Sequence, residues 1–476
     1  MFVGRSDQLG LLDALWRRPK ASLVTCRGRR RIGKSTLVEE FARRSKARLL
    51  QFEGLAPRKG MTNGDQLAEF ASQLALQTRE PEFRFHGWTE AFSVLAKKIP
   101  ATGRVVLLLD EISWMGKYDP DFPGRLKIAW DRFFHRRKDL VVVLCGSVSA
   151  WISENILENT AFVGRDSLDI VLPELTLAQC RAFWGRRDAR VPAREKFDVL
   201  SVTGGVPKFL EDVDPSLSAE ENVRRLCFLP EGPLFREFDA AFADVFGPKA
   251  AGKKELLRAV SGGSLTASEI SRKTGAAANG VLTRILNELV LAGFLAADAG
   301  INPETGRPSG RTLYRLRDNY TRFYLKYIEP NAESVKAGSF RFVSLGQLPG
   351  WNAIRGLQFE NLVLANLPQL LPLLGFDRTL LLSAAPWRNA RTARGRGCQV
   401  DLLLQAPRST CVVEIKRKAE IGEEVADEVQ AKVEALGTPR RTTVRTALVY
   451  EGRLSPRVEA DGYFDFLIPA ERLFDV

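Results

Sequence analysis

The stretch CRGRRRIGKST at residues 26–36 constrains this chain more than any other feature. A short β-rich run at 22–26 leads into it, and an amphipathic helix through Leu37, Val38 and Phe41 follows, so the segment reads strand, loop, helix. Gly28, Gly33, Lys34 and Ser35 fill the GxxxxGK[ST] pattern, and each residue type has a physical task there. The glycines let loop amides, those of Arg31 and Ile32 included, turn inward around a phosphate that also faces the positive end of the helix. Lys34 is expected to reach the β- and γ-phosphates, Ser35 to complete a Mg2+ shell, and the backbone through Thr36 to close around the triphosphate. The expected cofactors are therefore ATP and Mg2+.

Two more apolar runs fit the same domain. Residues 105–109 end in Asp110 and Glu111, which puts carboxylates at the carboxyl edge of a parallel sheet, where the ligands of such sheets collect. Asp110 is expected to hold magnesium through water and Glu111 to polarise the attacking water. Residues 140–144 run into Cys145, Gly146 and Ser147. With an extra strand between loop and acids, Ser147 lies beside the γ-phosphate as a sensor of its state.

These motifs occur in a chain of 476 residues, long enough for two to four domains. No apolar stretch is long enough to span a membrane, and the N-terminus lacks signal-peptide order, so the expected location is the cytoplasm, with no membrane partner. The six cysteines are scattered and only two histidines accompany them, which argues against a disulfide framework or a zinc site. A net charge of +13 suits a polyanionic partner, DNA or RNA, since clustered Lys and Arg gain affinity by releasing phosphate counterions.

In order, FVGRSDQLGLL at 2–12, GRRRIGKSTL, LLLDEISWM, LCGSVSAWI, FVGR at 162–165 and TGGVPKFL at 203–210 resemble the archaeal-type ATPase family of the AAA+ and STAND-like branch. The resemblance spans most of the first 250 residues. It implies that Gly4 and Arg5 lie near the adenine, and that Arg165 reaches a γ-phosphate in its own or a neighbouring subunit of a homo-oligomer. Residues 175–245 look helical and are expected to form a lid over the nucleotide, with Gly204, Gly205 and Pro207 marking its turn.

Residues 253–316 read as a winged helix: three helices, the second opened by a capping box at Thr266 and Glu269, then a hairpin. Its third helix carries an apolar stripe of Val281, Ile285 and Leu289 beside Leu282, Leu286 and Val290. Asn279, Thr283, Arg284 and Asn287 are left for a major groove, and Arg307 and Arg311 on the wing for phosphate. Winged helices also pack against protein domains.

Beyond a Pro- and Gly-punctuated linker, Glu360 falls in an amphipathic helix, Asp401 interrupts the strand 399–404, and Glu414 and Lys416 share one face of the strand 410–416. Two carboxylates on adjacent strands can grip magnesium, which activates water, while a lysine orients the nucleophile or neutralises phosphate. The pattern resembles the PD-(D/E)XK nuclease superfamily, in the DUF234 version that follows such ATPases. It departs from the superfamily in lacking a proline before Asp401. Arg388, Arg391, Arg394 and Arg396 are expected to follow a DNA backbone.

The fold expected is thus α/β: a P-loop, AAA+-like parallel-sheet domain (1–172), a helical lid (173–248), a winged helix-turn-helix (249–328), a linker (329–350) and an α/β nuclease-like domain (351–476). The function expected is an ATP-hydrolysing DNA switch or motor with a Mg2+-dependent nuclease-like tail. Its rivals are an ATP-gated DNA-binding protein that does not cleave and a signalling ATPase assembled by a protein partner.

Overall fold

A computed structural model describes residues 2–147, 149–247, 250–303, 307–340, 344–389, 397–436 and 442–476. The chain folds as two compact units, Met1–Pro173 with Ala240–Pro248, and Glu174–Asp239 with Lys249–Val476.

The first unit is built on a five-stranded, all-parallel sheet of strands β1 (Ser22–Arg27), β2 (Arg48–Glu53), β3 (Val105–Asp110), β4 (Leu140–Gly146) and β5 (Asp166–Val171), in the order β2-β3-β4-β1-β5. Strand β4 therefore separates the loop-bearing β1 from the acid-bearing β3. Every residue of β3 and β4 is buried, because helices cover both faces, and alternate side chains enter opposite cores. Leu107, Leu109, Val142 and Leu144 pack with Phe70, Trp88, Phe92 and Phe122 on one side. Val106, Leu108, Val141 and Val143 pack with Leu37, Val38 and Phe41 on the other.

The segment expected as a separate lid divides between the units. Residues 240–248 belong with the parallel sheet, whereas Glu174–Asp239 packs into the second unit. There Phe197, on the helix Ala193–Thr203, meets Phe359 and Phe474 at ring distances of 5.2 and 4.8 Å, and the Leu177 amide donates to Asn366 Oδ1 at 2.8 Å. Gly205 is required where this segment approaches the chain before it, since a Cβ there would lie 2.3 Å from the Leu175 carbonyl oxygen.

The middle of the second unit has three helices, Ala250–Val260, Ala267–Thr274 and Gly280–Leu291, and a small antiparallel sheet of β6 (Leu265–Thr266), β7 (Leu295–Ile301) and β8 (Pro308–Leu316), ordered β6-β8-β7. The third helix buries Leu282, Leu286 and Leu289, while Val281, expected in the stripe, is 52 % exposed. Asn279 is a helix cap rather than a free groove-facing residue, its Oδ1 accepting from the amides of Val281 and Leu282. The supposed linker contains the helix Ala332–Lys336 and buries Val335 and Leu345, and Glu329 forms ion pairs with Lys254 and Arg258.

The helix Trp351–Ala365 then precedes a mixed sheet of β9 (Ser383–Asn389), β10 (Cys398–Ala406), β11 (Ser409–Ile421), β12 (Thr443–Leu454) and β13 (Phe466–Pro469), ordered β13-β12-β11-β10-β9. Strands β9, β10 and β11 pair antiparallel, and after the helix Glu424–Leu436, β12 and β13 add in parallel. Strand β9 also anchors the small hairpin: Trp387 Nε1 donates to the Ile301 carbonyl at 3.1 Å, and Gln405 Nε2 of β10 reaches the Pro303 carbonyl at 2.8 Å. Arg388, expected on a DNA backbone, instead pairs with Glu269 and donates to the Ser264 carbonyl. Arg391, Arg394 and Arg396 lie outside the described residues.

Candidate functional site

Strand β1 ends at Arg27, and the chain turns through residues 28–33 into the helix Lys34–Arg44. The turn uses positive φ, 149° at Gly28, 71° at Arg31 and 90° at Gly33. An added Cβ at Gly28 would lie 2.8 Å from the Leu172 carbonyl oxygen, so the loop passes the end of β5 only as glycine. Ile32 is buried with Leu37 and Val38 and pins the loop from below, while Arg31 and Thr36 are exposed. Lys34 is 7 % exposed; its ammonium donates to the carbonyls of Gly28 and Arg29, both at 3.2 Å, and to Ser147 Oγ at 3.1 Å.

The acids of β3 stand against this loop. Ser35 Oγ donates to Asp110 Oδ2, and the Glu111 amide donates to Asp110 Oδ1 at 2.9 Å. A hydroxyl and a carboxylate side by side are the hard oxygen donors that Mg2+ takes, so the residues fit that ion. Glu111 adopts φ 45°, uncommon for a side chain of this kind, and this turns its carboxylate onto Ser147. Ser147 Oγ donates to Oε1 at 2.8 Å and the Ser147 amide to Oε2 at 3.2 Å. One hydroxyl therefore joins the loop lysine to Glu111.

Two residues that the sequence did not single out belong to the same edge. Glu53, register partner of Asp110, has its carboxyl pushed up by burial and by the charges of Asp110 and Glu111. Arg30 of the loop forms an ion pair with Asp244, far along the chain.

Gly4 and Arg5 both take left-handed backbone, and the buried Arg5 donates from Nη2 to the Ile32 carbonyl at 3.2 Å, which ties the N-terminal box to the loop. Arg165 forms a two-pronged pair with Asp131, 2.8 Å from Nε and 3.0 Å from Nη2. Its guanidinium, helped by Lys127, holds the Asp131 carboxyl down at about 2.

In the second unit a cleft of about 1340 Å3 is lined by Glu360, Asp401, Glu414, Lys416 and Lys432, with Arg194 and Arg355 on its wall. The four residues read from the sequence all line this cleft. The Asp401 carboxyl is pushed up to about 8 by burial and by the nearby charges of Glu414 and Glu360, and burial raises Glu360 as well. Asp401 Oδ2 accepts from the Ile415 amide at 2.9 Å. Glu414, 2 % exposed, pairs through Oε1 with Lys416 at 2.9 Å and through Oε2 with Lys432 of the helix Glu424–Leu436, a residue the sequence reading missed. Lys416 also pairs with Glu428 at 2.7 Å. Mutually repelling carboxylates on adjacent strands are a donor set that a divalent cation relieves. Among the described residues, however, no three or more His, Cys, Asp or Glu side chains stand close enough to form a metal cluster by themselves.

The parallel sheet, the glycine-dependent loop and the lysine, serine and acids gathered on it define a phosphate-binding-loop α/β domain. No known family model matches the chain. It is similar to an uncharacterized protein of Methanocaldococcus jannaschii, 23% identical over 363 residues and 76% of each chain. Over 46 residues, 10% of this chain and 78% of the other, it is 41% identical to an uncharacterized ATP-binding protein of the same organism. Among solved structures it is similar to a Walker-type ATPase of Pyrococcus abyssi, 16% identical with a TM-score of 0.47, covering 68% of this chain and 96% of that one. No helix among the described residues is long and apolar enough to cross a membrane.

Proposed function

We propose that this chain is an ATP-hydrolysing switch or motor that works on DNA, with a C-terminal domain that cuts or grips the nucleic acid. The observation that carries the reading is the Ser147 hydroxyl bridging Lys34 and Glu111 while Ser35 meets Asp110. ATP bound in the loop would draw the Lys34 ammonium onto its β- and γ-phosphates, with Mg2+ held at Ser35 and Asp110 supplying charge neutralisation. Glu111, released from Ser147, would then face the attacking water as its base. Arg165, Gly4 and Arg5 keep the roles that the resemblance implies, with Arg165 available to the phosphate only after leaving Asp131.

The C-terminal reading rests on the order helix, three antiparallel strands, helix, parallel strand, with Glu360, Asp401, Glu414 and Lys416 in one cleft. That order supports the PD-(D/E)XK resemblance and Mg2+-assisted phosphodiester hydrolysis, the cation held at Asp401 and Glu414. The three-helix module with its hairpin fits a winged helix, and the exposed Thr283, Arg284 and Asn287 are its groove-facing candidates. A packing role for the same module is supported by a specific observation: its hairpin is fastened to β9 and β10 at the Ile301 and Pro303 carbonyls.

One comparison tests both halves. Wild type, Glu111→Gln and Asp401→Asn are incubated with plasmid, Mg2+ and ATP. Glu111→Gln is expected to bind ATP while turnover drops by about 10²–10⁴-fold, and normal hydrolysis would remove Glu111 from its role. Asp401→Asn is expected to lose cutting with hydrolysis intact. Absence of cutting by wild type across several divalent metals would decide for the reading without cleavage.

A further inference from the structure

Both oxygens of the Glu414 carboxylate carry an ammonium, Lys416 on Oε1 and Lys432 on Oε2. The two lysines are not equivalent. Lys416 has a second acid, Glu428, one helical turn before Lys432 on the same helix face, whereas Lys432 has Glu414 as its one ion-pair partner among the described residues. A cation gripping Asp401 and Glu414 must take an oxygen of Glu414, and a dication and an ammonium cannot share that oxygen without strong repulsion. Lys416 can give way onto Glu428, which it already holds, and Lys432 can turn into the cleft, whose wall carries Arg194 and Arg355 beside the acids Glu195 and Asp198.

We propose that Lys432 guards the cation site: it holds Glu414 in the metal-free protein, is displaced when a divalent cation enters, and then pairs with a phosphate of the nucleic-acid backbone. This rests on the metal-site reading of Asp401 and Glu414 given above. Cation and polyanion therefore bind with positive linkage, each removing an obstacle to the other. In the metal-free protein the lysine acts through Glu414, and once displaced it touches the polyanion itself. The arrangement keeps the hydrolytic site unloaded until substrate arrives.

The test uses the full chain carrying Asp110→Asn, which removes the carboxylate that stands with Ser35 as cation donor in the first unit, without nucleotide. Calorimetric titration with Mn2+ alone is expected to show roughly tenfold or greater tightening in Lys432→Met and Lys432→Gln, the removal of one close ammonium, while Lys432→Arg stays near the parent. The sign is diagnostic, because a merely damaged site binds metal more weakly. A twelve-nucleotide single strand, titrated with non-hydrolytic Ca2+, is expected to tighten cation binding in the parent and not in Lys432→Met. If Lys432→Met and Lys432→Gln bind Mn2+ no more tightly than the parent, while Asp401→Asn abolishes binding, the guard is overturned and the metal site stands. If Asp401→Asn leaves Mn2+ binding unchanged, both fall.

Discussion

At Gly28 one methyl group decides whether the loop can exist as built. The residue combines φ of 149° with a carbonyl oxygen 2.8 Å from where a Cβ would sit, so any side chain meets strain and a clash at once. Gly28→Ala is expected to cost about 1–3 kcal/mol of stability and to abolish nucleotide binding, read by melting temperature and fluorescent-nucleotide titration. Gly33, with open space beside it and φ of 90°, is constrained by backbone conformation alone. The motif spacing made both glycines legible in the sequence. It could not reveal that Ser147 binds Lys34 and Glu111 together, since these contacts span 113 and 36 positions.

Among the elements, the guanidinium of Arg417 shows why residues 174–239 share a unit with the C-terminal sheet. This fully buried side chain leaves β11 to reach Glu451 at 2.9 Å, Asp198 at 3.0 Å, Ser201 Oγ at 3.0 Å and the Arg194 carbonyl at 3.2 Å. Arg417→Met would remove the cation that holds Glu451 and take from Asp198 its nearer cation, leaving Arg355 at 3.7 Å. The expected loss is about 3–5 kcal/mol, the usual consequence of breaking a buried pair from one side, measured by urea unfolding of the second unit. Strands β1, β3 and β4 were legible as apolar runs because both their faces are covered. The edge strands RLLQFE and DSLDIV mix polar and apolar residues, since each has only one neighbour and water on part of its surface, and neither was read as a strand. Asp401 was legible as the interruption of an apolar strand, and Glu414 and Lys416 through strand alternation; Lys432 was not, because a lysine on a polar helix face looks the same whether it meets solvent or a carboxylate.

Over the whole molecule, two compact units with separate cores are expected to unfold in two steps. ATP with Mg2+ at a hundred times its dissociation constant should stabilise the first unit by about 2.7 kcal/mol. Scanning calorimetry is expected to show one transition moving up with nucleotide and the other staying in place; equal movement of both would mean that the loop is not the sole nucleotide site. The path of the chain adds a condition of its own. It leaves the first unit at Pro173, returns for Ala240–Pro248 and departs again, so no single scission releases either half intact. A fragment ending at Pro173 would keep every motif residue of the loop yet lack Asp244, the acid that neutralises Arg30, and would have to be judged as a different nucleotide-binding surface from the one the full chain carries.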